Sequence, residues 1–566
     1  MFRYFLRNSE VDSDQLATSL NINPITAKIL ASRGLTTIEQ INNFFSEDIN
    51  IIKNYEDLPN VSQAVDLILQ HKKDSIRIIG DYDVDGVCAT YILIKGLHAC
   101  GIHTSHYIPH RINDGYGLNK NIIQNAIDDG VQLIITCDNG VAAFEAVELA
   151  RKANVDILIT DHHEIAYQTN NNITTYIIPN ANVVVDPKLP GYDGFQKDIC
   201  GAFVALRLIS ALAHKLNLSD SIVYELAQFA AIATVCDVMP VLDDNRHLVK
   251  YGLRKIEEKT NPGLTHLMIQ QGIVDKEITI DHLGYTLGPC INAAGRLDSA
   301  ETALKLLLTE NEVEANMLAT TLMELNDERK NLTTMYMTQA TQYIEGHEND
   351  KVLVVVLNDC HEGVVGILAG KLKDIYNRPV IVLSVNNGIA KGSSRSIEAY
   401  NIYDELLNVS DILIQFGGHA QAAGLTIKEE DIEELRKRLN DNCKLEDKDF
   451  ALPIIMDAEV NLNNITLPLI KELEKLGPFG EGNPKPKFLT KDVKIKNARI
   501  VGKQSDVLQC EVEDSSGYSV RAVCFNNARE YYSEMSSRSI FNIIYSVGIN
   551  VYKNFTNIQL TIEILI

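Results

Sequence analysis

The chain has no tryptophan, no C-x-x-C cysteine pair and no apolar run long enough for a lipid bilayer. The missing tryptophan decides nothing. The ten cysteines are scattered, which excludes a zinc ribbon or a disulfide framework and fits a reduced cytosol. Apolar stretches such as Val352–Leu357 fall well short of the ~18–20 residues of a membrane span. The opening Met1–Arg7 has neither the apolar core nor the cleavage site of a signal peptide. Positive charge is scarce as well: 52 Lys and Arg against 75 Asp and Glu leave a net charge of −23. That balance excludes a protein that coats nucleic acid with basic side chains. It does not exclude a nucleic-acid enzyme whose site makes its own positive field from cations and a few arginines.

The composition is globular, 45% hydrophobic and 22% charged over 566 residues. A chain of this length forms roughly two to four domains. Residues 1–50 read as short helices, Asp12 to Leu20 and Pro24 to Leu30. Further on, the apolar runs Ile76–Ile79, Leu133–Thr136, Ile157–Thr160 and Val183–Val185 alternate with helix-type stretches at 87–100, 119–128 and 141–153. This alternation predicts a parallel sheet with helices on both faces. Residues 301–345 keep a helical period and could connect two lobes. A second α/β pattern follows, with strands Val352–Leu357 and Val380–Leu383 around a helical stretch. The charge run Glu429–Asp449 reads as a solvated helix and linker. Short alternating segments at 493–500, 507–512, 520–525, 540–547 and 558–564 predict a small β-barrel or sandwich.

In doubly wound sheets ligands bind beyond the carboxyl ends of the strands. Here the first strand runs into Asp81-Tyr82-Asp83-Val84-Asp85-Gly86, the second into Asp138, the third into Asp161-His162-His163 and the fourth into Asp186-Pro187. A further apolar stretch, Phe229–Val235, leads into Asp237. Carboxylates gathered at one edge repel one another unless cations neutralise them. Aspartates with a histidine and no cysteine suit Mn²⁺, with Mg²⁺ as second choice, and the number of ligands fits two ions. Taken singly, each Asp reads equally well as a helix N-cap. An EF-hand is excluded because its twelfth position is Ile92. Asp186-Pro187 reads as a turn. Two glycine-rich segments, Lys391–Ser396 and Phe416–Gly424, could let backbone N–H groups approach a phosphate beside Arg395, or could be ordinary tight turns.

Together these segments resemble the DHH phosphoesterase superfamily, and within it the bacterial single-stranded-DNA-specific exonucleases. The resemblance rests on GDYDVDG (80–86), RINDGYGL (111–118), CDNG (137–140), DHH (161–163), CGAFVALRL (200–208), ATVCDVMP (233–240), INAAGRLD (291–298), HEGVVGILAGKL (361–372), GSSRSI (392–397), FGGHAQAAGLTI (416–427) and GPFGEGNPKPKF (477–488). It implies an α/β, two-lobed core: a parallel-sheet DHH domain and a DHH-associated α/β domain joined by a long helix, followed by a C-terminal OB-like β-barrel. The implied boundaries are an N-terminal helical segment at 1–50, a catalytic domain at 51–300, the helix at 301–345, the associated domain at 346–448 and the barrel at 449–566. By the same resemblance Asp81, Asp83, Asp85, Asp138, His162 and Asp237 hold the metals. Asp83, Asp85, Asp138, His163 and His419 serve catalysis, and Arg111, Arg296, Ser393, Arg395, Gly418 and His419 bind the strand. The implied activity is two-metal, 5′-to-3′ hydrolysis of single-stranded DNA in repair and recombination. It would be carried out by a cytoplasmic monomer that works with a single-strand-binding protein and a helicase.

Two positions depart from the family pattern. Cys290 stands where a basic residue is usual, which places one phosphate contact in question, and Ser394 replaces a glycine. Two alternatives share the superfamily: a phosphoesterase of nanoRNA or cyclic dinucleotides, and a non-catalytic replication scaffold. The 451–566 extension argues against the first, and the complete set of ligand-type residues against the second.

Overall fold

Side chains alternate along the strand runs, and the structure uses both sets. Ile78, Leu133, Ile135 and Leu158 face one core, while Ile79, Ile134, Ile157 and Ile159 face another on the opposite side of the sheet. The computed structural model describes residues 2–9, 11–56, 58–115, 117–170, 173–192, 197–502, 506–535, 537–552 and 555–566; Tyr116 of the 111–118 motif lies outside them. The chain divides into two compact units, Glu47–Phe450 and a second made of Met1–Ser46 with Ala451–Ile566.

The first unit opens on a five-stranded parallel sheet in the order Thr104–Tyr107, Ile76–Ile79, Leu133–Cys137, Asp156–Thr160, Val183–Val185. Chain order reverses at Ile76–Ile79, so a crevice opens beyond the ends of that strand and Leu133–Cys137. The strand Thr104–Tyr107 is absent from the sequence reading. It lies at the sheet edge and is only half covered, so it carries no apolar run. Helix Val84–Ala99 is buried nearly all round, between the sheet and the helices Gly201–Lys215 and Ser221–Cys236. Helices Lys120–Asp128 and Phe144–Lys152 cover the other face. Phe229–Val235 belongs to the helix Ser221–Cys236, so Asp237 arrives at a helix end.

Helix Glu312–Ile344 starts at Asn311, whose side chain accepts from the N–H groups of Val313 and Glu314. Its first half buries Ala319 and Leu322 in the first core. Its last turns bury Tyr336, Ala340 and Ile344 in a second. The second sheet runs Leu413–His419, Ala422–Lys428, Ile389–Arg395, Val380–Asn386, Leu353–Asn358, with only the last two parallel. Helix Glu362–Tyr376 packs on one face. On the other lies Ile432–Asn442, from the charge run; it buries Ile432, Leu435 and Leu439, so it is half covered and not a free solvated helix.

In the second unit Phe488–Val501, Val507–Glu513, Ser519–Cys524, Phe555–Leu565 and Phe541–Tyr552 pair in turn, and the last returns to the first, closing a barrel. The opening segment is not helical throughout. Phe2–Leu6 is a strand that pairs in parallel with Leu452–Met456, and the helices Ser13–Leu20, Pro24–Ser32 and Ile38–Phe45 share one apolar cluster with the barrel. No helix among the described residues is long and apolar enough to cross a membrane.

Candidate metal centre and its arginine rim

Asp83 caps helix Val84–Ala99 by accepting the Gly86 N–H at 3.1 Å, while the Val84 N–H donates to Asn292 Oδ1 at 3.2 Å. Asp85 lies in the first turn of the same helix. Its two oxygens accept from the N–H groups of Gly201 (2.6 Å) and Ala202 (2.7 Å), which open helix Gly201–Lys215. Asp85 is therefore held between two helix N-termini, where backbone donors and dipoles favour an anion. Asp138 follows its strand on left-handed backbone (φ 60). A Cβ at Gly201 would stand 2.7 Å from the Asp138 Cβ, so glycine is required there.

His162 gathers the set. Its Nε2 lies 3.1 Å from Asp138 Oδ1, 3.5 Å from Asp85 Oδ2 and 3.7 Å from Asp237 Oδ2. Three overlapping groups have donor atoms within 4.8 Å of one another: Asp81/Asp83/Asp138, Asp85/His162/Asp237 and Asp138/His162/His163. Overlap of this kind, with shared Asp138 and His162, suits two neighbouring cations. Asp81 Oδ1, Asp138 Oδ1 and Asp237 Oδ2 are buried with no hydrogen-bond partner among the described residues. Orphaned buried oxygens of this number are costly unless a cation takes their lone pairs. Burial first, then the neighbouring carboxylates, push Asp81 and Asp237 up to about 8, Asp85 to about 6 and Asp138 well above the carboxylate range. Each of these carboxyls thus holds a proton more tightly than a free aspartate does, and cations would compete with those protons on binding.

Asp161 does different work. It accepts from the N–H groups of Val141 (2.9 Å) and His162 (2.8 Å) and bonds His163 Nδ1 at 2.7 Å. Burial opposes both charges of this pair. The mutual bond and attraction prevail, bringing Asp161 down to about 2 and His163 up to about 9. Asp186, a turn residue by sequence, is buried and accepts the Lys188 N–H at 2.7 Å; burial and then the Asp161 charge push it up to about 7.

The rim is basic. Arg111 Nε donates to the Gly295 carbonyl at 2.9 Å, with its guanidinium 3.9 Å above the Tyr82 ring. Arg296 Nη1 donates to the Gly363 carbonyl at 3.2 Å. Burial, then Arg111 and Arg329, push Arg296 down to about 10. Arg395 Nη1 donates to Ser393 Oγ (3.2 Å) and the Ser394 carbonyl (2.8 Å). Burial lowers His419, and the charges of Arg395 and His163 add to that. Gly418 has φ 148, and a Cβ there would stand 2.3 Å from the Ala422 carbonyl.

Arg329, whose Nε and Nη2 donate to Asn326 Oδ1 at 3.0 and 2.9 Å, lies close enough to Arg296 for its charge to act there; sequence reasoning missed it, because a Glu-Arg-Lys run on a long helix looks solvated. Two sequence expectations change. Lys391–Arg395 lies on a strand, Phe416–Gly424 spans two strands and the tight turn at Ala420-Gln421 between them, and Ser394 is buried, its hydroxyl bonded to the Ala423 backbone. Cys290 is fully buried, within hydrogen-bond reach of Gln271 (2.8 Å) and Asn326 (3.3 Å), so it does not stand in a phosphate path.

Residues 75–234 match the DHH family, N-terminal domain, residues 349–445 the DHHA1 domain, and residues 456–564 the RecJ OB domain. The single-stranded-DNA-specific exonuclease RecJ of Bacillus subtilis is 34% identical over 97% of this chain and 68% of its own. That of Dickeya dadantii is 30% identical over 95% of both chains. Among solved structures, RecJ from Thermus thermophilus in complex with Mn²⁺ covers all of this chain and 79% of its own, at 25% identity with a TM-score of 0.84.

Proposed function

The chain belongs to the RecJ family, and from that membership we propose that it is a metal-dependent exonuclease specific for single-stranded DNA, cutting in the 5′-to-3′ direction during repair and recombination. The observation that carries the reading is the set of overlapping donor atoms contributed by Asp81, Asp83, Asp85, Asp138, His162 and Asp237, with buried oxygens of Asp81, Asp138 and Asp237 left without hydrogen bonds. These residues would hold two Mn²⁺ ions, with Mg²⁺ as a substitute. When bound, such ions supply Lewis acidity and an ionisable water at a phosphoryl centre.

The protein's own residues do the rest. Asp85 is immobilised by two backbone N–H groups, so the cluster keeps its shape while a substrate changes charge. Asp161 fixes the ring of His163, leaving Nε2 to hold or pass a proton at the edge of the cluster. Arg111, Arg296 and Arg395 are braced by backbone carbonyls and turn remaining N–H groups to phosphate oxygens, with Ser393, Gly418 and His419 on the second lobe's side. The OB barrel would grip single strands by base stacking and phosphate contacts. The protein would act as a cytoplasmic monomer alongside a single-strand-binding protein and a helicase.

Digestion of 5′- and 3′-labelled single strands, with duplex and RNA controls, in Mn²⁺, Mg²⁺ and EDTA tests this. Mononucleotides released from the 5′ end only, in metal only, are expected. Release from the 3′ end, or equal attack on duplex, overturns the reading.

A further inference from the structure

One excursion beside the metal centre has no role in the reading above. A crossover between neighbouring parallel strands ordinarily carries a helix. Between Thr160 and Val183 the chain instead forms a hairpin, Tyr167–Asn170 paired with Ile173–Tyr176. Its base is fixed: Ile165 is buried in the sheet core, and the Ile177 N–H donates to the Ala166 carbonyl at 2.7 Å. Tyr167 and Tyr176 are directly opposite in register, their ring centroids 6.3 Å apart and edge-on at 63°. They are nevertheless 65% and 48% exposed. Two-stranded hairpins are marginal on their own, and rings this open contribute little burial to hold one together.

Beside the rings lies a cavity of about 650 Å³, lined by Tyr167, Tyr176, Glu164, Lys188, Lys197 and Asp198 among others. Its two cations are matched by two carboxylates, and Lys188 Nζ is 2.9 Å from Glu164. A balanced lining does not attract a phosphate, which the arginine rim already serves. Open aromatic faces with paired donors and acceptors suit a flat, uncharged heteroaromatic ring with polar edges. Glu164 directly follows His163 in the chain, and Lys188 of the cavity lies close enough for its charge to act on His162 and Asp237.

The geometry points to a nucleobase subsite, in which one of the Tyr167 and Tyr176 rings stacks on the base of the nucleotide whose phosphate lies at the metal centre and the other meets the edge of that base. It rests on the nuclease reading, and its test is kept separate from hydrolysis. Calorimetric titration of the full chain in Mn²⁺ compares 2′-deoxyadenosine 5′-monophosphate with 2-deoxyribose 5-phosphate, which lacks only the base. Wild-type protein is expected to prefer the nucleotide about tenfold, the size of one stacked base. In Tyr167→Ala/Tyr176→Ala the preference should vanish while sugar-phosphate affinity stays the same; Tyr167→Phe/Tyr176→Phe should restore it. Melting temperatures check folding, and if the double alanine variant is unstable, each single alanine variant should still reduce the preference. Equal binding of the two ligands by wild type, or a preference that survives loss of both rings, overturns the subsite. A protein that digests single strands yet shows no preference refutes only the subsite. One that shows the preference yet digests no strand refutes only the nuclease reading.

Discussion

Asp138 sits on left-handed backbone between two groups of donors, with His162 3.1 Å away and four other carboxylates raising its proton affinity. Replacing it with Asn removes a shared ligand and also one of the repelling charges. Asp138→Asn should therefore abolish hydrolysis and cancel the Mn²⁺-induced rise in melting temperature, which ligand linkage puts at about 2.7 kcal/mol of stability at a hundredfold excess over Kd. The metal-free variant should melt no lower than the metal-free parent. A variant that loses activity yet keeps the Mn²⁺ shift would show that Asp138 is not a ligand. Cys290 teaches the opposite lesson. Its place before the INAAGR motif gave reason to expect a missing phosphate contact, but its thiol is buried among Gln271, Met323 and Asn326. Cys290→Arg would place a guanidinium there without a described acidic partner, so thermal melts should show a loss of several kcal/mol. An unchanged melting temperature with a steeper salt dependence of single-strand binding would restore the phosphate reading. The aspartates were legible because residue type and strand-end position are both visible in the sequence. The Asp161–His163 clamp and the burial of Cys290 were not, because they depend on which way a side chain turns.

Two helix beginnings meet across Asp85, and their glycines set the approach. A Cβ at Gly201 would fall 2.9 Å from Asp138 Cα, and one at Gly86 would fall 2.5 Å from the Asp81 carbonyl. Gly201→Ala should push helix Gly201–Lys215 away, lengthen both bonds to Asp85 and weaken Mn²⁺ binding by about 5- to 150-fold, since one or two such bonds are worth about 1–3 kcal/mol. Calorimetric Mn²⁺ titration reads this directly; unaltered affinity would mean that the helix yields without disturbing the ligands. At this scale the buried strands were legible, because a strand covered on both faces is a continuous apolar run. The edge strand Thr104–Tyr107 was not, since half exposure leaves it Thr-Ser-His-Tyr. Nor was the hairpin after His163, whose residues show no apolar alternation.

The chain's two ends fold as one unit, an arrangement that reading along the sequence does not disclose. Leu16, Ile29, Leu30, Ile41 and Phe44 from the opening helices share a core with Ile465, Leu469, Ile470 and Phe488. Arg33 binds Asp457 through Nε (3.2 Å) and Nη2 (3.1 Å) and reaches Asn483 Oδ1 at 2.8 Å. This pair is nearly closed to solvent, so Arg33→Ala leaves the Asp457 carboxylate with only weaker partners and should destabilise the unit by about 3–5 kcal/mol. Truncation follows the same logic. A fragment ending at residue 450 retains the opening helices but removes the barrel side of the apolar cluster they share, whereas a fragment of 47–450 keeps its own cores whole. The 47–450 fragment should therefore melt in one cooperative transition and stay monomeric, with single-strand affinity reduced by the lost stacking at about 1–3 kcal/mol per base. The 1–450 fragment should bind a hydrophobic dye and aggregate, although it is longer and contains the same 47–450 region. If the longer fragment were instead the better behaved, the opening helices would owe their stability to residues 47–450 and not to the barrel.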